Sequence, residues 1–360
     1  MPRLLDTPYE RNGLALKNRY VMAPMTRSRA EGNLPNALMA EYYGQRASAG
    51  LVISEGAAPA PDGLGYARIP GIFNEAQAQG WGAIAQALHA EGSRLFIQIM
   101  HSGRVGATAN LPAGETLVAP SAIAAAGDTW TDTAGMQPNA LPREASADDL
   151  ARLRNAHVNA ARLAVDHGVD GVELHGANGY LLGQFLNPRS NQRTDQYGGS
   201  AANRNRFVIE VVDATVAAIG KARVGVRLSP FNPFNDLEVG FDGEREQFLD
   251  LVDALASRDI AYLHLAGGSV DGELLAEVRR RFTGTLITNG GYDGERAEND
   301  LASGVADLVS FGRPFIANPD LPERLRTGAP IADLDATTLY TPGAAGYTDY
   351  PRLGAGVVAA

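Results

Sequence analysis

Three observations predict an α/β chain of the (β/α)8 TIM-barrel class. Short apolar, β-rich segments recur eight times, each followed by a helical pattern; unusual polar residues gather at the C-terminal ends of those segments; and the chain is 360 residues long. Such a barrel typically takes about 250 residues and exceeds about 400 with insertions. The candidate strands are Arg19–Pro24, Gly50–Glu55, Arg94–Met100, Val169–His175, Ala222–Leu228, Ile260–Ala266, Thr285–Asn289 and Asp307–Gly312. Helical patterns fill the gaps at Gln77–Glu91, Ser146–His167, Ala202–Ile219, Glu244–Arg258, Asp271–Phe282 and Glu295–Ser303. The helix from Ser146 opens Ser-Ala-Asp-Asp, a capped start with acids in its first turn. No linker rich in Pro, Gly or Ser divides the chain, so residues 1–360 read as a single domain. Two stretches stand apart. Residues 102–145, rich in Gly, Pro, Ala and Thr, form an insertion or lid leaving the third strand end, and residues 340–360 form a C-terminal tail.

Composition removes several function classes. With no cysteine there is no disulfide framework, zinc ribbon, iron–sulfur cluster or thiol nucleophile. A net charge of −10 without a basic stripe argues against nucleic acid as the partner. There is no basic-plus-apolar leader pattern and no apolar run near the ~20 residues of a membrane helix, so a soluble, cytoplasmic protein is expected. No His or carboxylate spacing suggests a metal.

Because barrel active sites gather at strand C-termini, the residues ending each strand are the candidates for chemistry. Strand one ends in Ala23-Pro24-Met25-Thr26, strand two in Ser54-Glu55-Gly56-Ala57, and strand three in Gln98-Ile99-Met100-His101-Ser-Gly-Arg104. Strand four runs into His175-Gly-Ala-Asn178-Gly-Tyr180, which sets an imidazole, an amide and a phenol at one strand mouth. That trio can polarise a carbonyl and deliver a proton, although a strand-end His before Asn-Gly is also an ordinary turn. Strand five carries Arg227 in an apolar setting, where alternation turns it inward; it needs either an anionic ligand or a structural partner such as Glu173. Strands seven and eight end in Thr288-Asn289-Gly290-Gly291 and Ser310-Phe311-Gly312-Arg313. Glycines there let backbone N–H groups approach an anion, Arg313 supplies a fork, and this is the usual phosphate position of such barrels. No Gly-x-Gly-x-x-Gly follows a strand, so a Rossmann dinucleotide site is not supported. His89, His157 and His167 read as surface or capping residues and His264 as a satisfied core histidine. Most Asp and Glu residues read as solvated helix faces.

In combination these strand ends resemble the old yellow enzymes, flavin-dependent ene-reductases, over nearly the whole chain. The motifs run in family order: Ala-Pro-Met-Thr-Arg at 23–27, Tyr-Tyr-Gly-Gln-Arg-Ala-Ser-Ala-Gly at 42–50, His-Ser-Gly-Arg at 101–104 and Val-Ala-Pro-Ser at 118–121. His-Gly-Ala-Asn-Gly-Tyr-Leu follows from 175, then Asn-Gln-Arg-Thr-Asp-Gln-Tyr-Gly-Gly-Ser at 191–200, Arg-Leu-Ser-Pro at 227–230, the two phosphate loops, and Gly-Tyr-Thr-Asp-Tyr-Pro at 346–351. The resemblance implies a barrel holding FMN non-covalently over the strand mouths, with NADPH or NADH as reductant. It implies that Thr26 donates to flavin O4, that Gln98 and Arg227 bind the O2/N1/N3 edge with Arg227 stabilising the anionic reduced flavin, and that Pro24, Met25 and Gly56 line the ring. Gly291, Gly312 and Arg313 would hold the phosphate, His175 and Asn178 the substrate's carbonyl or nitro oxygen, and Tyr180 would protonate the α-carbon after hydride reaches the β-carbon from N5. Both half-reactions share one site in a ping-pong cycle, which accounts for the missing Rossmann motif. Thr26 and the Gly-Tyr-Thr-Asp-Tyr-Pro tail match the classical bacterial subgroup, whose N-ethylmaleimide reductase-like members reduce activated alkenes and also act on nitrate esters or nitroaromatics.

One departure stands out. Where the family usually reads Gln-Leu-Trp-His, this chain has Gln98-Ile99-Met100-His101, so a tryptophan wall of the substrate pocket becomes the smaller, flexible Met100. Altered substrate orientation and facial selectivity are expected rather than lost activity. Three other readings remain open from the residues: a sugar-phosphate lyase or isomerase, against which stands the absence of a strand-end lysine; a flavin-binding protein without turnover; and, within the family, a demethylase or a dienoyl-CoA reductase. The partners expected are small activated alkenes, and the assembly is a monomer or a homodimer.

Overall fold

A computed structural model describes residues 3–267 and 270–354. Eight parallel strands close into a barrel: β1 (Tyr20–Met22), β2 (Leu51–Ala57), β3 (Arg94–Ile99), β4 (Gly171–Gly176), β5 (Val224–Leu228), β6 (Tyr262–Leu265), β7 (Leu286–Asn289) and β8 (Leu308–Phe311). Each falls within one or two residues of its expected span. Closure is made where β8 meets β1, with Phe311 opposite Met22 and the Ala23 N–H donating to Phe311 O at 3.0 Å. Helices α1 (Ala37–Gln45), α2 (Glu75–His89) and α3 (Ala147–Asp166) follow the first three strands and lie outside the barrel. Ser146 and Asp149 form the reciprocal cap that the Ser-Ala-Asp-Asp run predicts. No helix among the described residues is long and apolar enough to cross a membrane.

What positions the site is a change of chemistry along the lumen. At its lower end Val21, Leu51, Ile53, Phe96, Tyr262, Ile287 and Leu308 form one apolar cluster, closed off by Tyr9, Leu14 and Leu16 of an N-terminal hairpin. Large and small residues interlock there: a Cβ at Gly225 would fall 2.3 Å or less from the Tyr262 ring. Two residues further along, alternation returns six of the eight strands to the lumen with polar groups instead: Gln98, Glu173, Arg227, His264, Asn289 and Ser310. The register aligns them, Gln98 opposite Glu173, and His175, Arg227 and His264 side by side on three neighbouring strands. The apolar plug thus carries a polar floor at the C-terminal mouth.

Above that floor the rim comes from loops. Residues 102–145 hold a short hairpin, Asp128–Thr131 with Gly135–Pro138, and a two-strand pairing of Val118–Ala119 with Arg143–Glu144. The C-terminal segment crosses the barrel beside β1, held by three buried arginines. Arg29 donates to the carbonyls of Thr338, Leu339 and Ala345, Arg27 to those of Leu339 and Gly346, and Arg46 to those of Phe315, Ile316 and Tyr347. Tyr347 stacks on Tyr42 with ring centroids 4.0 Å apart. Residues 355–360 of the expected tail lie outside the described residues.

Candidate active site

A cavity of about 620 Å³ opens over the floor. It is lined by eight of the residues singled out from the sequence: Pro24, Thr26, Gln98, Met100, His175, Asn178, Tyr180 and Arg227. Met25 and Gly56 lie just behind the lining. Met25 Sδ is 3.5 Å from where a Cβ would stand on Gly312, and a Cβ on Gly56 would fall 2.6 Å from Met100 Sδ, so glycine at 56 is what lets Met100 lie against β2. Gly291, Gly312 and Arg313 form a second group beside the cavity, on the adjoining loops after β7 and β8, whose ends pair through Asn289 and Ser310. Gly290 and Gly291 both take positive φ, at 133° and 65°, and Arg313 is exposed without a hydrogen bond or ion pair among the described residues.

The floor is organised around Glu173. Its Oε1 accepts from Gln98 Nε2 at 2.8 Å and its Oε2 from His264 Nδ1 at 2.8 Å, while His264 Nε2 lies 2.8 Å from Ser310 Oγ. His264 is therefore a satisfied core histidine, as its apolar strand suggested. Burial alone would raise the Glu173 carboxyl, but His264, Arg227 and Gln98 together hold it below the ordinary range. Of the two alternatives open for Arg227, an anionic ligand or a structural partner such as Glu173, the second is not made by a hydrogen bond. Its Nη2 donates to Asn289 Oδ1 at 3.4 Å, its Nε is buried with no partner, and Glu173 acts on it only through charge. An incompletely paired buried guanidinium facing a cavity is a ready donor to an anionic or carbonyl edge.

Above the floor, at the end of β4, stand His175, Asn178 and Tyr180. Burial and the nearby Arg227 charge push the His175 imidazole down to about 3, so it is neutral, and its Nδ1 is buried without a partner. Its ring lies 5.0 Å from that of Tyr180. Asn178 takes a left-handed backbone with φ 56°; its N–H donates to Ser229 Oγ at 2.7 Å, and its Oδ1 accepts from Asn232 Nδ2 at 3.1 Å. With the amide oxygen engaged, the Asn178 NH2 is left to donate toward the cavity. Tyr180 Oη sits 3.1 Å from Tyr66 Oη, and burial raises the Tyr180 phenol above its ordinary value. It holds its proton at neutral pH and can give it up only to a strongly basic centre.

Several lining residues carried no sequence signal of their own: Ser28, Tyr66, Arg68, Trp130, Asn235 and Tyr340. Arg68 ties four segments together, its Nε donating to Ser28 O at 3.0 Å, its Nη2 to Tyr340 O at 2.8 Å, and its Nη1 pairing with Asp132 of the hairpin. Backbone strain concentrates at the same place. Ser28, Arg68, Asn178, Asn235 and Asp236 are non-glycine residues with positive φ, and all five line the cavity. His157 corrects the surface-or-cap expectation: it is 1% exposed within α3, with Nδ1 2.8 Å from Leu153 O, and burial pushes it down to about 4. His167 does end α3, as its C-cap, and His89 pairs with Asp170 at 2.7 Å. Glu55, Asp62, Asp149 and Glu173 are buried, exceptions to the solvated faces expected of most Asp and Glu residues.

With this geometry in hand, the comparisons agree with one another. Residues 7–331 match the NADH:flavin oxidoreductase / NADH oxidase family. The chain is 40% identical over 361 residues to 12-oxophytodienoate reductase 1 of Oryza sativa subsp. japonica, covering 97% of this chain and 93% of that protein. It is 41% identical over 349 residues to a probable flavin mononucleotide-dependent alkene reductase of Leishmania infantum, covering 94% of each. Among solved structures, morphinone reductase superposes with a TM-score of 0.93 at 42% identity, over 99% of this chain and 98% of that one. The old yellow enzyme homologue from Zymomonas mobilis gives 0.92 at 41% identity, over 97% and 99%. A closed eight-stranded barrel, a polar floor at its C-terminal mouth and a family match over nine-tenths of the sequence converge: the chain belongs to the NADH:flavin oxidoreductase family and is an FMN-dependent oxidoreductase of the old yellow enzyme type.

Proposed function

We propose that the enzyme reduces the C=C bond of α,β-unsaturated carbonyl or nitro compounds in a ping-pong cycle at this one cavity, with Tyr180 as proton donor and NADPH or NADH as reductant. The observation that carries the reading is the convergence of His175, Asn178 and Tyr180 on one wall, above a floor made by Gln98 and Arg227. The residues fit FMN. Arg227, with its orphaned Nε, and the Gln98 amide suit the polar edge of an isoalloxazine, while Gly291, Gly312 and the unengaged Arg313 suit a phosphate. Thr26 would donate to the ring carbonyl, and Pro24, Met25 and Gly56 would lie against the ring. FMN held there would supply the hydride-carrying chemistry between the nicotinamide and the alkene.

The chain's own residues do the rest. A neutral imidazole at His175 and the free NH2 of Asn178 donate to the acceptor's oxygen and draw electron density from the alkene, as preorganised donors do in a site shielded from water. Tyr180 supplies the proton at the carbon α to the activating group. Met100, 2% exposed and lying along Gly56, shapes the wall on which the substrate's bulk rests. The reading makes the whole chain one FMN-binding unit that works in the cytoplasm on small diffusible acceptors. Nitrate esters or nitroaromatics fit the same oxygen-binding wall.

The test is the visible spectrum of the purified protein during anaerobic NADPH addition, followed by 2-cyclohexenone. Flavin bands that bleach and then return are the expected result. A protein that bleaches but is not reoxidised by any enone or nitroalkene would overturn the reading.

A further inference from the structure

The floor contains two buried titratable groups that the proposed reaction does not use, Glu173 and His264. We infer that they are positioning residues: together they fix which way the Gln98 amide points and set the net charge beneath the cofactor's polar edge. The inference rests on the reading of this cavity as the FMN site.

The hydrogen-bond chemistry leaves one orientation for the Gln98 amide. An ionised carboxylate only accepts, so the Gln98 group 2.8 Å from Glu173 Oε1 must be its NH2. That turns Gln98 Oε1 away from Glu173 and leaves it as an acceptor for the cofactor's N–H. Were Glu173 an amide or protonated, Gln98 could flip and offer a donor instead. His264 holds the other oxygen: its Nε2 lies beside Ser310 Oγ and its Nδ1 beside Glu173 Oε2, both at 2.8 Å, and an ionised Glu173 requires the ring to donate from Nδ1, while Ser310 Oγ also donates to Thr288 O at 3.2 Å. Glu173, His264 and Ser310 come from β4, β6 and β8, the alternate strands that supply one layer of a barrel interior. All three are at most 1% exposed, in a layer that aliphatic side chains usually fill. An unneeded ion there would be disfavoured, because burying a carboxylate costs several kcal/mol unless its partners offset it.

Charge gives the second half of the argument. Arg227 and Glu173 bring one positive and one negative charge under the cavity, and His264 is pushed below its ordinary value chiefly by burial. Reduction adds electrons to the bound ring, and a floor stripped of its carboxylate would favour that more strongly. Glu173 therefore restrains the pull of Arg227.

The experiment compares Glu173→Gln with Gln98→Ala, each prepared as apoprotein and titrated with FMN, then reconstituted for a midpoint-potential measurement. For Glu173→Gln we expect FMN to bind at least tenfold more weakly. We also expect the ratio of reduced to oxidised flavin at a fixed potential to rise about tenfold, a positive shift of about 30 mV for a two-electron couple. Weaker binding with an unmoved potential would make Glu173 merely structural and overturn the proposal, as would no change in either. Gln98→Ala separates the two levels of inference. If it binds FMN normally, the reading of the site itself fails; if it weakens binding while Glu173→Gln does not, only the positioning role fails. Should Glu173→Gln not fold, His264→Leu takes its place, because it removes the second donor to the carboxylate while leaving Gln98 intact. Unchanged FMN affinity and potential in that variant would also overturn the proposal.

Discussion

The floor and the rim of the cavity are built in different ways. Floor side chains stand on strands whose register is fixed by the barrel ladder, and they are joined by short, fully buried bonds such as those from Gln98 and His264 to Glu173. The rim is made of loops and the C-terminal segment, drawn together by arginines that donate to carbonyls hundreds of residues away, as Arg68 does to Tyr340. A floor of this kind dictates what chemistry is done and tolerates little change. A rim of this kind decides what enters, and it can be altered without dismantling the barrel.

The hardest test of that division is Tyr180→Phe. It removes the phenolic proton and leaves the aromatic wall, so the alkene-reduction half-reaction should slow by about 10²–10⁴-fold, the usual worth of a positioned acid. Flavin reduction by the nicotinamide should stay within about twofold of wild type, at a level the lost acid cannot touch. Stopped-flow measurement of the two half-reactions separately decides it; equal slowing of both would mean that Tyr180 acts on binding instead.

Glu55 probes how the rim is anchored. Its carboxylate accepts from the Arg27 N–H, and the Arg27 guanidinium holds the C-terminal segment. Burial pushes Glu55 up to about 7 from an ordinary 4.5. Folded protein thus keeps a proton that the unfolded chain has already lost, so stability falls as pH rises from about 4.5 to about 7, by up to about 3 kcal/mol. Denaturant unfolding of Glu55→Gln across that window should show the slope removed relative to wild type; parallel curves would place the raised carboxyl elsewhere.

Met100→Trp acts where floor meets rim. Indole bulk in place of the thioether, against Gly56, should turn the substrate and change the enantiomeric ratio for a bulky cyclic enone by about tenfold, the scale on which pocket shape discriminates. Overall turnover should persist. An unchanged ratio would remove Met100 from the list of selectivity determinants.

How much of this was readable beforehand follows the same division. Two-residue alternation and strand ends point straight to Gln98, His175 and Arg227, because a strand fixes its side chains by local geometry alone. Arg227 was legible in place, with its partner left open between a ligand and Glu173: alternation says which way a side chain faces, whereas the reach from Glu173 to His264 rather than to Arg227 depends on the tilt and spacing of three strands. Arg68, Tyr66 and Tyr340 were invisible for a different reason. They meet the cavity through loop conformations, including the left-handed backbone of Arg68, that no local periodicity encodes. His157 misled because a histidine in a polar-looking helix gives no sign that its face is covered.

Arg68→Ala sharpens the rim side. It frees Asp132 and the Tyr340 carbonyl, yet the pair is partly solvated, with side-chain exposures of 14% and 47%, so stability should fall by less than about 1 kcal/mol. The measurable change is in KM for bulky acceptors, by less than about fivefold, with kcat for small ones unaltered. A collapse of kcat would show that the rim reaches into the chemistry.

The smallest expected effect is an absence of one, and it bears most directly on how dry the wall above the floor is. His175 is held down to about 3 first by burial and then by the Arg227 charge, against an ordinary 6.5. It should remain neutral from pH 5 to 8, donating an N–H bond throughout, and kcat/KM should show no ionisation attributable to it in that range. Its imidazole resonances, assigned through a His175→Gln variant, should be flat over the same interval. The linkage runs opposite to that of Glu55: folded protein refuses a proton that the unfolded chain accepts, so His175 costs stability as pH falls from about 6.5 toward 3. A midpoint between 5 and 8 would mean that water reaches the ring, and the contrast between a sealed interior and an adjustable rim would then fail beside Arg227.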